Sequence, residues 1–156
     1  MRRFLTALLL LSACDDESVK KGETTRDYIV FGHFYGECGG EQCIEIFKLT
    51  EDQLSEDSND TYPSSDHIYN GNFHTLDPQK FDLVKDLSNH IPQGLLSISE
   101  NVIGQPDAGD WGGIYFEIST NGEQQYWLID KMEGNIPEYL GPFVEEIENS
   151  ITQINN

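Results

Sequence analysis

The strongest constraint on the fold of this chain is a β-hairpin signal in its second half. Residues 114–119 (IYFEIS) alternate between apolar and polar or aromatic side chains, and residues 125–130 (QYWLID) return after Asn121-Gly122. Asn-Gly between two such runs is typical of a type I′ turn, because both central residues of that turn need a positive φ. The sequence therefore predicts an antiparallel strand pair around residues 121–122.

A second hairpin is predicted near the start of the globular part. Residues 28–35 (YIVFGHFY) are aromatic and β-branched with apolar side chains on both faces, which is typical of a central strand, and residues 43–49 (CIEIFKL) alternate more clearly. The connection, residues 36–42, contains three glycines and is too long for a two-residue turn.

Two helices are predicted. Asp77-Pro78 is typical of an N-cap followed by proline in the first turn, and apolar residues then recur on one helical face until Pro92, so we expect a helix over about 78–90. Gly141-Pro142 predicts the start of a second helix. Its apolar face would consist of Phe143, Val144, Ile147, Ile151 and Ile154.

The segments between these elements give weaker signals. Thr50 is expected to cap one helical turn through Leu54, and the rest of residues 50–66 is expected to be an acidic loop that Tyr62-Pro63 docks on the body. Residues 67–73 are a weaker strand candidate, and residues 95–98 either form a short strand or simply pack. Residues 101–113 contain four glycines and a proline, which predicts an irregular loop.

Together these signals predict one α+β domain over residues 27–154. We expect an antiparallel sheet built from two hairpins plus a weaker strand, with two helices packed on one face. Strands and helices do not alternate strictly, which disfavours a βαβ arrangement.

The charge of the chain excludes one class of partner. Asp and Glu number 28 against 9 Lys and Arg, which gives a formal net charge of −19. Binding a phosphate backbone needs clustered basic residues, so nucleic acid is not an expected partner. Adsorption to a bare anionic membrane surface is disfavoured for the same reason.

The first residues have the organisation of a secretory signal peptide: a basic start, a short apolar run and small residues before a cut. Leu11-Ser12-Ala13-Cys14 resembles the lipobox of bacterial lipoproteins at all four positions. The resemblance implies cleavage before Cys14, diacylation of its sulfur and attachment to a membrane. We therefore expect a signal peptide over 1–13 and a lipidated flexible tether over 14–26.

The residues after Cys14 bear on location. Asp15, Asp16 and Glu17 resemble the acidic stretch that follows the lipidated cysteine in surface-exported lipoproteins of Bacteroidota-type bacteria. This resemblance implies an outer-membrane lipoprotein displayed at the cell surface. In enterobacteria, Asp after the cysteine would instead indicate retention in the inner membrane, facing the periplasm. Both alternatives place the domain outside the cytoplasm.

Cys38 and Cys43 are the two cysteines other than Cys14. Their position in a glycine-rich turn of an exported chain favours a structural disulfide. A metal site would need further ligands, for which Glu37, Glu41 and His33 are near in sequence. A redox-active pair lacks the usual C-x-x-C spacing.

Asp107, Asp110 and Trp111 stand in the second glycine-rich segment. One interpretation is a loop that binds Ca²⁺ or a sugar, with carboxylate oxygens as hard ligands and the indole as a stacking surface. The alternative is a tight turn whose Asp side chains bond to their own backbone over a buried Trp111.

Three segments, GHFYGECGGEQCIEIFKL, PDAGDWGGIYFE and YWLID, resemble a family of small Bacteroidota-type lipoproteins without an assigned activity. The resemblance implies a fold unit marked by its cysteine loop.

No nucleophile, metalloprotease, P-loop or dinucleotide motif is present, so we expect no catalytic residue, metal or cofactor. The favoured function is a membrane-anchored binding or accessory module for a protein or a glycan. The alternative is a small carboxylate-dependent hydrolase of the envelope that uses Asp107, Asp110 and Glu117.

Overall fold

A computed structural model describes residues 26–156. The predicted signal peptide, Cys14 and the tether up to residue 25 lie outside the described residues. The first strand begins at Arg26, one residue before the predicted start of the domain. The strands are β1 Arg26–Phe34, β2 Ile44–Leu49, β3 Leu54–Asp57, β4 Phe73–Thr75, β5 Val102–Ile103, β6 Gly113–Thr120 and β7 Glu123–Asp130, and the helices are α1 Pro78–Val84 and α2 Gly141–Ile154.

The fold is α+β, as predicted, with one seven-stranded sheet in the order β4-β3-β2-β1-β6-β7-β5. Neighbouring strands are antiparallel except for β5, which pairs with β7 in parallel. The sheet is larger than the predicted two hairpins and a weaker strand. Its centre is the pairing of β1 with β6, which are far apart in sequence.

The β6–β7 hairpin is confirmed. Thr120 pairs with Glu123 around a two-residue turn. Asn121 and Gly122 have φ values of 53° and 80°, the positive values that this turn requires. The alternating pattern on both strands then buries one set of side chains on each face of the sheet.

Two strands lie where we predicted none. Thr50 does not begin a helical turn; its hydroxyl accepts a hydrogen bond from the Gln53 backbone in a tight turn, and β3 then follows with Leu54 buried. In the glycine-rich segment predicted as irregular, Val102 and Ile103 form β5. Such short strands have little sequence signal of their own, because they are defined by the neighbour they pair with.

Other boundaries also differ from the prediction. The strand expected over 67–73 overlaps β4 only at Phe73. The helix expected over 78–90 is shorter: α1 ends at Val84, and a 3₁₀ turn, Leu87–His90, follows it. Asp77 caps α1 as predicted, because its side chain accepts a hydrogen bond from the Gln79 backbone N–H. Pro92 forces Ile91 into an extended conformation, so the helical segment ends before it. Residues 95–98 pack rather than form a strand, since Leu95–Ser97 is a 3₁₀ turn with Leu95 fully buried.

The main core lies between one face of the sheet and both helices. Alternate residues of β1, β2, β6 and β7 contribute to it, and α2 contributes the five apolar positions that the sequence pattern predicted. The helices therefore pack on the same face of the sheet. The buried aromatic pairs in this core include Phe116 with Trp127 and Phe116 with Phe143.

The opposite face of the sheet is partly covered by residues 58–72, which we call the strap. Pro63 is buried and the Tyr62 ring meets Phe34 edge-on at 5.0 Å between centroids, so this dipeptide docks the loop as predicted. The Tyr69 backbone N–H donates to the Tyr115 hydroxyl at 3.0 Å, and the Tyr126 hydroxyl donates to a strap carbonyl at 2.7 Å. A second, smaller apolar cluster lies beneath the strap.

Candidate functional site

One end of the sheet brings together the two glycine-rich loops that the sequence singled out. Asp107 joins them: its Oδ2 accepts hydrogen bonds from the Gly36 backbone at 2.7 Å and from the Tyr62 hydroxyl at 2.9 Å, and its Oδ1 accepts one from the Gly112 backbone at 2.9 Å. We call this region, residues 35–43, 104–112 and Tyr62, the loop platform. A single carboxylate therefore ties the cysteine loop, the second glycine-rich loop and the strap to one another.

Asp130, which the sequence analysis did not single out, fixes the second glycine-rich loop to the sheet. It is fully buried at the end of β7 and accepts hydrogen bonds from the backbones of Gln105 and Met132 and from the side chains of Trp111 and Asn135. Burial alone would raise the pKa of Asp130, but these four donors hold it below its ordinary value. The sequence offered one signal for Asp130: it is a charged residue directly after the apolar run of residues 126–129.

Trp111 and Asp110 lie on the outer side of the platform. Trp111 is partly buried; its ring lies over Gly109, where a Cβ would fall 1.8 Å from the ring, and its indole N–H donates to Asp130 at 3.0 Å. Asp110 is exposed. Asp107 and Asp110 both have a φ of 60°, as Asp in tight turns tolerates. Asp107 thus bonds to the backbone of its own loop, as in the second interpretation, whereas within residues 26–156 no hydrogen bond to the Asp110 side chain occurs and Trp111 is only partly buried.

Cys38 and Cys43 are at disulfide-bonding distance, as predicted, with Cα atoms 5.6 Å apart. Cys43 is buried, and its carbonyl accepts a hydrogen bond from the Tyr35 backbone at 2.9 Å. The bond closes the cysteine loop next to the Gly36 N–H that Asp107 holds. Together they restrict a loop whose glycines would otherwise leave it many conformations.

A cluster of charged and aromatic side chains supports the platform from the helix side. Lys131 Nζ lies 3.0 Å from Glu148 Oε1 and 4.5 Å from the centroid of the Tyr35 ring, and His33 Nδ1 lies 3.6 Å from the same Glu148 oxygen. Burial would raise the pKa of Glu148, but His33 and Lys131 hold it below its ordinary value. The cluster ties α2 to the ends of β1 and β7.

Glu117, the third carboxylate of the hydrolase hypothesis, lies elsewhere. It is 1% exposed within β6, on the strap side of the sheet, and accepts hydrogen bonds from the hydroxyls of Tyr28 and Tyr115 and from Gln124. Burial raises the pKa of Glu117 above its ordinary value, although these donors oppose the rise. No hydrogen bond in the described part of the chain joins Glu117 to Asp107 or Asp110.

The two carboxylates that hold the platform loops in place, Asp107 and Asp130, are already occupied as hydrogen-bond acceptors. Both oxygens of Asp107 and of Asp130 accept hydrogen bonds from protein donors. Within residues 26–156, no group of three or more His, Cys, Asp or Glu side chains is arranged to hold a metal ion. The exposed side chains of the platform include the carboxylates of Glu37, Glu41 and Asp110 and the ring of Tyr62.

No known protein family, curated protein or solved structure matches this chain. In the part of the chain that the structure describes, no helix combines the length and the apolarity needed to cross a bilayer.

Proposed function

We propose that the protein is a membrane-anchored lipoprotein outside the cytoplasm that acts as a non-catalytic binding or accessory module for a protein or a glycan. A lipid on Cys14 would hold it at the outer membrane, with the domain displayed at the cell surface. The observation that carries the binding role is the loop platform: two loops locked by Asp107 and the Cys38–Cys43 pair, with aromatic side chains at their edge.

Rigid loops with accessible aromatic groups favour binding. Binding residues concentrate on loops that a firm scaffold positions, and Tyr and Trp are enriched in interfaces because they supply large contact areas at low entropic cost. Tyr62 is 46% exposed although its hydroxyl is fixed by Asp107, and Trp111 is partly accessible. Burial and the Asp107 carboxylate raise the pKa of Tyr62 to about 12.

The state of the carboxylates disfavours the hydrolase alternative. A carboxylate-dependent hydrolase needs two carboxyl groups that face a substrate, one to donate and one to accept a proton or to attack. Asp107 and Glu117 instead accept hydrogen bonds from the protein itself, and Asp110 is exposed on the surface. The three candidates do not converge on one cleft.

The anchoring is tested by metabolic labelling with a fatty acid. The full chain should incorporate the label and partition with membranes, whereas the Cys14→Ser variant should carry none, because the acylated sulfur is gone. An unlabelled wild-type chain that stays soluble outside the cytoplasm would contradict the anchoring part of the proposal.

The binding role is tested by photo-crosslinking on intact cells. A photoreactive phenylalanine at exposed Ala108, in the platform, should form a defined adduct that the same group at exposed Gln79, on α1, does not form. The adduct should disappear in the Tyr62→Ala variant. A glycan array probed with the wild type and with Tyr62→Ala tests for a carbohydrate ligand. The same adducts from both positions, or neither adducts nor glycan binding, would reject the platform as the binding surface.

A further inference from the structure

The outer edge of β7 is open along its first half. β6 pairs with β7 over its whole length, but on the other side β5 pairs only with Leu128 and Ile129. The Leu128 N–H points to that outer side, because it donates to the Asn101 carbonyl at 2.8 Å. Hydrogen-bonding directions alternate along an antiparallel strand, so Gln124 and Tyr126 direct their backbone N–H and C=O groups to the same side. Within residues 26–156, no protein group hydrogen-bonds to them there.

Two cavities lie next to this edge of the sheet. On the helix side, a cavity of about 630 Å³ lies between Ile118 and Gln125 of the hairpin and Gln93 and Leu96. A second cavity, of about 200 Å³, is lined by Gln124–Trp127 of β7 and by Ile98, Ser99 and Asn101, so it lies along the outer edge of β7, between that edge and the segment 98–101. A strand beside Gln124 and Tyr126 would enter the second cavity, and every second one of its side chains would face the first, because side chains of an extended chain point alternately to the two faces of a sheet.

This edge carries only part of the usual protection against strand pairing. Natural edge strands are kept short, carry charged residues such as lysine, contain proline or a bulge, or are covered by a loop. Here Glu123 is charged and the segment 98–101 flanks the edge. The opposite edge of this sheet, β4, has only three residues. Residues 123–127 of β7 (EQQYW) contain neither lysine nor proline. They pair with β6 without a break in register. An edge left in this state is what strand addition by a partner requires.

We infer that the open edge of β7, Glu123–Trp127, is a docking site for an extended peptide segment of another protein, which adds to the sheet as a further strand. Outward N–H and C=O groups repeating every second residue match another extended backbone. Glu123 of this edge and Arg26 both line the helix-side cavity, so their local charges oppose each other. The chain as a whole carries a net charge of −19, and this long-range field favours a neutral or basic segment. The site lies at the end of β7 remote from Asp130 and does not depend on the loop platform.

A pair of substitutions at one position isolates the backbone contact. Gln124→Pro removes the outward N–H of residue 124 and leaves the β6–β7 ladder intact, since proline is tolerated where a strand N–H faces outward. Gln124→Ala removes the same side chain, with its hydrogen bonds to Tyr28 and Glu117, but keeps that N–H. A difference between the two variants therefore reports the main-chain hydrogen bond.

The probe is a displayed library of random decapeptides selected against the full chain, from which single synthetic peptides are then titrated. We expect neutral or basic peptides whose affinity falls about tenfold with Gln124→Pro and less than about twofold with Gln124→Ala. A tenfold fall corresponds to the loss of one hydrogen bond of about 1.4 kcal/mol.

Amide exchange on the wild-type chain gives a second measurement that needs no variant. The peptide should slow exchange at Gln124 and Tyr126 and leave Ile129, already paired with β6, unchanged.

Four results would overturn the inference. They are a selection that enriches no peptide, peptides that bind the proline variant as well as the alanine variant, a preference for acidic peptides, and unchanged amide exchange at Gln124 and Tyr126. A peptide-free dimer in sedimentation with these two amides protected would assign the edge to a second copy of the chain instead.

Discussion

At the scale of single residues, buried carboxylates in this chain behave differently because their hydrogen-bond donors differ. Asp130 accepts bonds from two backbone N–H groups that the fold holds in place, and two side chains add to them, so its pKa lies below the ordinary value. Glu117 accepts from two tyrosine hydroxyls and one amide on a flat sheet face, where the loss of water dominates and its pKa rises. The same functional group is a fixed anion in one place and a group more easily protonated in the other.

The raised pKa of Glu117 predicts a pH dependence of stability. The folded state binds the Glu117 proton more tightly than the unfolded state does, so its contribution to the free energy of unfolding is largest at low pH. That contribution falls as the pH rises from the ordinary carboxyl pKa through the raised one. Urea unfolding between about pH 4 and about pH 8 checks this prediction. As the pH rises, the free energy of unfolding of the wild type should fall relative to that of Glu117→Gln.

The matched control for this measurement is Glu123→Gln, which changes an exposed carboxylate at the start of the neighbouring strand. Its unfolding profile should run parallel to that of the wild type. A Glu117→Gln profile that also runs parallel to the wild type would show that burial does not perturb this carboxyl.

At the scale of elements, the turn of the β6–β7 hairpin is set by local backbone conformation. Gly122 has a φ of 80°, a region in which a side chain on an L-residue is strained. A Cβ built on Gly122 meets nothing within 4 Å. The glycine is therefore needed for its conformation and not for space.

We predict that Gly122→Ala lowers the free energy of unfolding by about 1 kcal/mol, the usual cost of placing alanine at positive φ. The control is Gly39→Ala, because a Cβ there also meets nothing within 4 Å while its φ lies outside the left-handed region. That variant should be neutral or slightly more stable. Equal effects in chemical denaturation would mean that the turn changes its type to accommodate the alanine.

At the scale of the whole molecule, charge repulsion opposes the folded state. The formal net charge is −19, and within residues 26–156 the lysines that form ion pairs with carboxylates are Lys85, with Asp82, and Lys131, with Glu148. The Lys85 pair is exposed and contributes little. Most acidic side chains therefore repel one another across a domain of small radius, and this repulsion is weakened by salt.

We predict that raising NaCl from about 0.02 M to about 0.5 M increases the melting temperature at neutral pH, because the Debye length falls from more than 20 Å to less than 5 Å. Near pH 4, close to the sequence pI of about 4.2, the same addition should have little effect, since the net charge is near zero. A salt effect of the same size at both pH values would mean that it does not arise from the net negative charge.

The features predicted from sequence are those that depend on neighbouring residues. The Asn121-Gly122 turn, the Asp77 cap and the apolar face of α2 each involve residues within a few positions of one another, and all three are confirmed. β3 and β5 were missed, because four and two residues become strands only when β2 and β7 offer backbone partners. Which strand lies next to such a short segment cannot be predicted before the strand order of the sheet is known.

The same distinction applies to the candidate sites. The sequence by itself identified the cysteine pair and the Asp107 loop, since glycine spacing and residue type mark them locally. Only the tertiary structure placed Asp107 against Gly36, 71 positions away in the chain, and Asp130 beneath Trp111. The open edge of β7 was equally invisible in the sequence. It exists because the chain pairs with β7 only from Val102 onward, and which residues of β7 then have no neighbouring strand is a property of the assembled sheet.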